Sequence, residues 1–210
     1  GIKTVYGLPG GASLPLLAAL KRQNIDFVLV RNESSAVYMA DAEARLTGKP
    51  GVCLTTLGPG ATNALAGVSH AYLDRAPVLM LTADFPHDIR DRHTHQVLDL
   101  EAIFRPMTKL TATLRPETAV SQLSHALNLT QSGRPGPVHL SLTGAIADTP
   151  TTQSPSSPPS PTASLASAAA LEQAKAQLQH ATRPAIVVGL GWKAERPLTP
   201  PAPPVSYTPL

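Results

Sequence analysis

The amino-acid sequence predicts an α/β fold: a doubly wound parallel sheet with helices on both faces, followed by a linker and a truncated second α/β domain. Three observations carry this expectation. Short apolar runs alternate with helix-period segments through residues 1–149. Those runs are almost continuously apolar and bounded by Gly or Pro, as in strands covered on both faces rather than on one. Composition then changes: residues 1–149 hold 12 of the 14 glycines, while residues 150–210 hold 12 of the 22 prolines.

The elements follow in order. Helical periodicity runs from Ser13 to Gln23, with Leu16, Leu17 and Leu20 on one face. The strand Ile25–Val30 precedes a helix from Glu33 to Thr47 that carries Ala36, Ala40 and Ala44 on one side. Next come the strand Gly51–Thr56, a helix from Pro59 to Leu73 and the strand Pro77–Thr82. A helix from Pro116 to Gln131 and the strand Pro137–Leu142 close the block. These bounds set a first domain over residues 1–148. From Thr149 to Ser164, 14 of 16 residues are Pro, Ser or Thr, a composition that buries little and predicts an extended linker over 149–164. Residues 165–196 then read as the start of a second domain, with a helix from Leu165 to Ala181 and a strand from Pro184 to Gly191. Residues 197–210 form a tail with six prolines and no periodicity.

Composition narrows the function classes. At 210 residues the chain can hold one ordinary domain, or one domain plus a fragment of a second. The lone Cys53 excludes an internal disulfide framework, and its place in an apolar strand marks it as an inert buried thiol. No apolar run approaches the ~18 residues of a membrane span. Net charge is +3, from 17 basic and 14 acidic residues. The basic residues are scattered, and Arg90 and Arg92 are interleaved with Asp88 and Asp91, so no nucleic-acid-binding stripe forms. The opening Gly1-Ile2-Lys3 has no initiator Met and no targeting pattern, so the chain reads as entered part-way; its expected location is cytoplasmic.

Three loops leave strands at the edge where doubly wound folds bind ligands. They are Tyr6–Ala12 (with Pro9, Gly10 and Gly11), Arg31–Ser34 (with Glu33) and Thr55–Asn63 (with Thr56, Gly58 and Pro59). Glycines there permit close backbone approach, and helix-start N–H groups favour an anion or a polar ligand. Each loop alone is equally readable as helix–sheet packing, and Glu33 as a carboxylate placed to suit the helix dipole. The third loop lacks the last glycine of the dinucleotide pattern. His93 and His95 have no further ligand at metal spacing and read as a solvated loop, so no metal ligand is assigned.

Taken together the blocks are more specific. Gly-Leu-Pro-Gly-Gly-Ala (7–12), Glu33, Ala-Asp-Ala-Glu-Ala-Arg-Leu-Thr-Gly-Lys-Pro-Gly-Val (40–52), Leu-Gly-Pro-Gly-Ala-Thr-Asn (57–63), Ala-Tyr-Leu-Asp-Arg-Ala-Pro-Val (71–78), Arg-Pro-Met-Thr-Lys (105–109) and Gly-Arg-Pro-Gly-Pro-Val-His-Leu (133–140) occur in that order. This set resembles the N-terminal pyrimidine-binding domain of thiamine-diphosphate enzymes of the acetolactate synthase group, over nearly all of residues 1–149. Pro184–Gly191 resembles the opening strand of that family's central domain. The resemblance implies that Glu33 holds N1′ of the aminopyrimidine and shares its proton, favouring the 4′-imino form that deprotonates thiazolium C2. A 2-keto acid such as pyruvate then loses carbon dioxide, and its two-carbon unit passes to a second keto acid. The resemblance further implies that Thr56, Gly58, Pro59 and Asn63 line the pyrimidine pocket, that Pro9, Gly10 and Gly11 flank the active site, and that Gln96 reaches toward the reacting centre.

The departures also carry expectations. The Gly-Asp-Gly motif and asparagine pair that mark the family's diphosphate domain are absent from this sequence, so Mg²⁺ is expected only through a diphosphate domain outside it. The resemblance leaves FAD open: many acetolactate synthases bind it, and most of its contacts would fall in the central domain. His95 stands where acetolactate synthases usually carry an aromatic residue, and Val97–Leu100 differs as well. Three readings follow: part of an acetolactate synthase-like lyase or carboligase, inactive alone; a non-catalytic half that binds a partner chain carrying the diphosphate domain; or a general nucleotide-binding module. In the first, the chain works in a homo-oligomer or with that partner chain.

Overall fold

A computed structural model describes residues 1–86, 92, 94–151, 166–185, 187 and 189. The chain divides into two compact units, Gly1–Leu165 and Ala166–Leu210. The first is built on one six-stranded sheet, all of whose pairings are parallel. Its strands are β1 (Thr4–Leu8), β2 (Asp26–Leu29), β3 (Gly51–Thr55), β4 (Val78–Ala83), β5 (Thr111–Thr113) and β6 (Val138–Leu142), in the order β2-β1-β3-β4-β6-β5. Every residue of β3, β4 and β6 is buried, which is why β3 and β4 read as nearly continuous apolar runs, while β6 interleaves the buried His139 and Ser141.

Helices α1 (Leu14–Arg22), α2 (Glu33–Thr47), α3 (Pro59–Asn63), α4 (Leu65–Leu73), α5 (Leu100–Phe104), α6 (Ala119–Gln131) and α7 (Gly144–Asp148) complete the unit. Alternate strand residues feed two cores. Cys53 and Met80 point to one side, against Val37, Ala40 and Val68 of α2 and α4. Val52, Leu54 and Leu79 point to the other, with Leu17, Leu20, Leu123 and Leu127 of α1 and α6 packed there. The α2–α4 contact also carries charge: the buried Asp41 pairs with Arg45 at 2.5 Å and with His70 at 3.2 Å, and Arg45 reaches Asp74 at 3.0 Å.

The structure adds elements that the apolar runs did not predict. β1 has no counterpart among the expected strands, and its second half falls in the expected Tyr6–Ala12 loop. A Cβ at Gly7 would lie within 3.0 Å of the Leu54 carbonyl group on β3, so strand pairing itself demands the glycine. β5 has three half-buried residues and hence no apolar run. The segment expected as one helix from Pro59 to Leu73 is two, broken at Ala64, whose N–H bonds to Ala61 O at 3.2 Å. α6 begins at Ala119 rather than Pro116, and α5 and α7 are short additions. In the second unit α8 (Ala168–His180) occupies the helix expected there, with Ser167 Oγ accepting the Ala170 N–H at 3.2 Å. The expected linker beyond Thr151, the tail 197–210 and part of the expected strand Pro184–Gly191 lie outside the described residues; the described Pro184, Ala185, Val187 and Gly189 are not in a strand, and Val187 is 94% exposed rather than buried. Among the described residues, no helix is long and apolar enough to cross a membrane.

His139, on β6, is fully buried. It stacks on Phe104 with ring centroids 4.1 Å apart, between Thr82 Oγ1 at 2.9 Å and Thr111 Oγ1 at 2.6 Å. Hydroxyls can donate or accept, so a neutral imidazole is satisfied in either tautomer. Burial pushes its pKa down to about 3. The folded state therefore binds fewer protons here than the unfolded state, whose histidine titrates near 6.5. The neutral ring's contribution is complete above that value and falls by ~1.4 kcal/mol per pH unit below it, down to the folded-state pKa. Urea unfolding at pH 7.5 and 4.5 should show wild type losing about 3 kcal/mol more than His139→Gln between the two. Equal losses would mean that the ring charges without cost.

Candidate functional site

The chain leaves β1 toward β2 on one side of the sheet and β3 toward β4 on the other. Connections at the carboxyl ends of β1 and β3 therefore diverge, and such a switch point is where open α/β sheets bind ligands. Three segments converge there. A Cβ on Gly10, in the loop after β1, would lie 2.8 Å from Thr56 Cβ, and one on Gly60, in α3, would lie 2.5 Å from Thr56 Cγ2. Thr56 is thus clasped between two glycines, and its N–H bonds to Leu8 O at 3.2 Å.

Glu33 opens α2 and reaches the same place. Asn32 caps the helix, its Oδ1 accepting the Ser34 N–H at 2.9 Å. A carboxylate here suits the helix dipole, an interaction that does not require burial. Glu33 is 6% exposed, and Oε2 accepts a hydrogen bond from Asn63 Nδ2 at 3.2 Å. Its Oε1 lies 3.3 Å from where a Cβ on Gly60 would stand, so the bare glycine leaves that oxygen uncovered by a side chain.

The other expected residues divide. Gly58 adopts φ +56° and ψ −118°, which a side chain resists. Its Cα faces Gln96, whose own φ is +62°; a Cβ on Gly58 would sit 2.7 Å from the Gln96 carbonyl oxygen. Gln96 is exposed and lies directly over the turn. Pro59 is the exposed first residue of α3, and Pro9 is half-buried beside Gly10. Gly11 is exposed with no atom near its absent Cβ, so packing gives no reason for a glycine there. His95 is exposed and His93 lies outside the described residues. Among the described residues, no cluster of three His, Cys, Asp or Glu could hold a metal.

Sequence reading missed three contributors. Ser13 is fully buried and exchanges two hydrogen bonds of 2.9 Å with the Gly10 backbone, fixing the first loop. Gly60 and Ser34 also belong here; a serine three residues after the loop glycine was the available signal for Ser13. A hollow of about 660 Å³ lies elsewhere, at the ends of β5 and β6. Its Gln122 is already committed, donating to Thr113 O at 3.2 Å and accepting from Arg115 N at 2.9 Å. We place the candidate site at Glu33, where the buried carboxylate is.

Residues 1–103 match the family described as thiamine pyrophosphate enzyme, N-terminal TPP binding domain. The chain belongs to this family, in the acetolactate synthase group. Within it, the chain is 43% identical over 144 residues to the acetolactate synthase isozyme 3 large subunit of Escherichia coli, covering 68% of this chain and 25% of that protein. It is 38% identical over 149 residues to a probable acetolactate synthase large subunit of Methanocaldococcus jannaschii, covering 70% and 25%. Similarity to the E. coli isozyme 1 large subunit extends over 195 residues at 34% identity, 91% of this chain and 35% of that one. The chain spans about a quarter of the length of the first two relatives.

Proposed function

We propose that this chain is the pyrimidine-binding part of an acetolactate synthase-like carboligase that uses thiamine diphosphate to act on a 2-keto acid such as pyruvate. The observation that carries the reading is the Glu33 carboxylate, buried at the switch point, held through one oxygen by Asn63 and open at the other beside Gly60. That arrangement fits an aminopyrimidine, a flat ring whose N1′ can share a proton with a carboxylate. When bound, the cofactor supplies the thiazolium carbon that adds to the keto group and takes up the electrons of decarboxylation. Glu33 holds the proton at N1′, while Thr56, Gly58 and Pro59 form the wall beside the ring. The Pro9–Gly11 loop flanks the opening, and Gln96 covers the turn on the substrate side.

On this proposal residues 1–148 are the pyrimidine-binding domain, 149–164 a linker, 165–196 the beginning of a central domain and 197–210 a tail. The diphosphate and Mg²⁺ are held by another region or another subunit of a cytoplasmic oligomer, and any FAD would be held through the central domain. The chain alone is then inactive and binds the intact cofactor weakly.

Titrating the ¹⁵N-labelled chain with 4-amino-5-hydroxymethyl-2-methylpyrimidine, the cofactor's pyrimidine half, tests the reading. The amides of Gly10, Thr56, Gly58, Gly60 and Asn63 should shift, with affinity on the order of millimolar. Shifts centred on Thr113 and Gln122 would overturn the proposal. Stronger perturbation of the Gly10–Gly60 set by adenosine monophosphate would favour a nucleotide-binding module instead.

A further inference from the structure

We propose that Ser34 is a positioning residue: its hydroxyl fixes Asn63, and Asn63 in turn fixes which oxygen Glu33 presents to its ligand. Ser34 Oγ donates to the backbone carbonyl of Asn63, and Asn63 Nδ2 donates to Glu33 Oε2. The two bonds close a loop, since Ser34 follows Glu33 in the chain while Asn63 lies 29 residues beyond Ser34.

Two structural features make the loop. Asn63 ends α3 and stands beside the break at Ala64, so its backbone carbonyl and its side chain both reach α2. Gly67 then lets α4 lie against α2: a Cβ there would be 2.6 Å from Val37 Cβ and 3.0 Å from Ser34 O. This close seat brings the Ser34 hydroxyl within reach of Asn63. Asn63 is the one hydrogen-bond partner of Glu33 among the described residues, so whatever orients Asn63 orients the carboxylate. Oε1 is not a sealed orphan either; among the described residues only Arg75 Nε is buried without a partner. Oε2 is thus tied down and Oε1 remains the acceptor on offer. Without the Ser34 bond, Asn63 can turn away, and the carboxylate can rotate about its last torsion, where the preference is broad.

The consequence for N1′ rests on the proposed function, but the coupling itself is measurable without cofactor. The experiment uses the whole ¹³C,¹⁵N-labelled chain and reads the Asn63 side-chain amide pair, assigned by its loss in Asn63→Asp, and the Glu33 Cδ signal. In Ser34→Ala the Asn63 amide protons should exchange with solvent at least five-fold faster and Glu33 Cδ should move, with the melting temperature within about 3 °C of wild type. Ser34→Thr, which keeps the hydroxyl, should restore both signals. Ser34→Cys keeps the volume with a weak donor and should behave as Ser34→Ala does, which covers the case in which the alanine variant unfolds. Unchanged Asn63 and Glu33 signals in the folded alanine or cysteine variant overturn the proposal, as does failure of Ser34→Thr to restore them. A null aminopyrimidine titration would sink the cofactor reading and leave these signals free to decide the coupling.

Discussion

Glu33→Gln is expected to slow C2 hydrogen–deuterium exchange of bound thiamine diphosphate by ~10²–10⁴, the usual loss for a removed acid–base group, with the fold intact. Glutamine is nearly isosteric, and its carbonyl oxygen can still accept the Asn63 amide bond that Glu33 Oε2 now accepts. The remaining –NH₂ replaces Oε1 beside Gly60 and can neither deliver a proton to N1′ nor take it back. Loss of charge at the start of α2 costs about 0.3–1 kcal/mol, a small shift in melting. The measurement needs the chain joined to the central and diphosphate-binding regions of an acetolactate synthase, with exchange followed by NMR beside thermal melting. Exchange at the parental rate in a normally folded variant would show the carboxylate to be a helix-start charge and nothing more.

Gly51→Ala is expected to destabilise the first unit by ~3 kcal/mol or more, the upper range for overpacking, and to lower its melting temperature by about 6–12 °C. A Cβ at Gly51 would collide with three backbone atoms of Ala40, including its carbonyl carbon at 2.5 Å and its Cα at 2.9 Å. A side chain could swing aside, but this obstacle is the axis of α2. Relief would require lifting α2 from β3, which opens the contacts among Val37, Ala40 and Cys53. Gly48→Ala serves as the control. Gly48 ends α2 at φ +69° with open space around its Cα, so alanine there costs only the ~1 kcal/mol of a left-handed residue. Similar melting of the two variants would show that α2 yields more readily than its packing implies.

The contrast explains what was legible in the sequence. β3, β4 and β6 are buried on both faces, so burial alone writes a largely apolar run, and their parallel arrangement followed from the alternation with helices. β1 and β5 were hidden because their pairing depends on a neighbour: Gly7 is there for the Leu54 backbone, and Thr111–Thr113 is an edge. The site was partly legible for a similar reason. Glycine-rich turns and a strand-end glutamate are local signals, whereas the Ser34–Asn63–Glu33 loop spans 29 residues and exists only because the helix breaks at Ala64. Continuous helical periodicity from Pro59 to Leu73 conceals that break.

Gly58 and Gln96 each adopt a left-handed backbone, and each occupies the space into which the other would expand. Neither can be exchanged in isolation: a side chain at 58 displaces the loop that carries 96, and a shift of that loop uncovers the turn beneath it. The two positions work as a latch and its keeper, and they should be inherited as a pair. An enzyme engineer wishing to change what meets the outer face of this site would have to redesign both halves of the latch together, leaving the Glu33 side untouched.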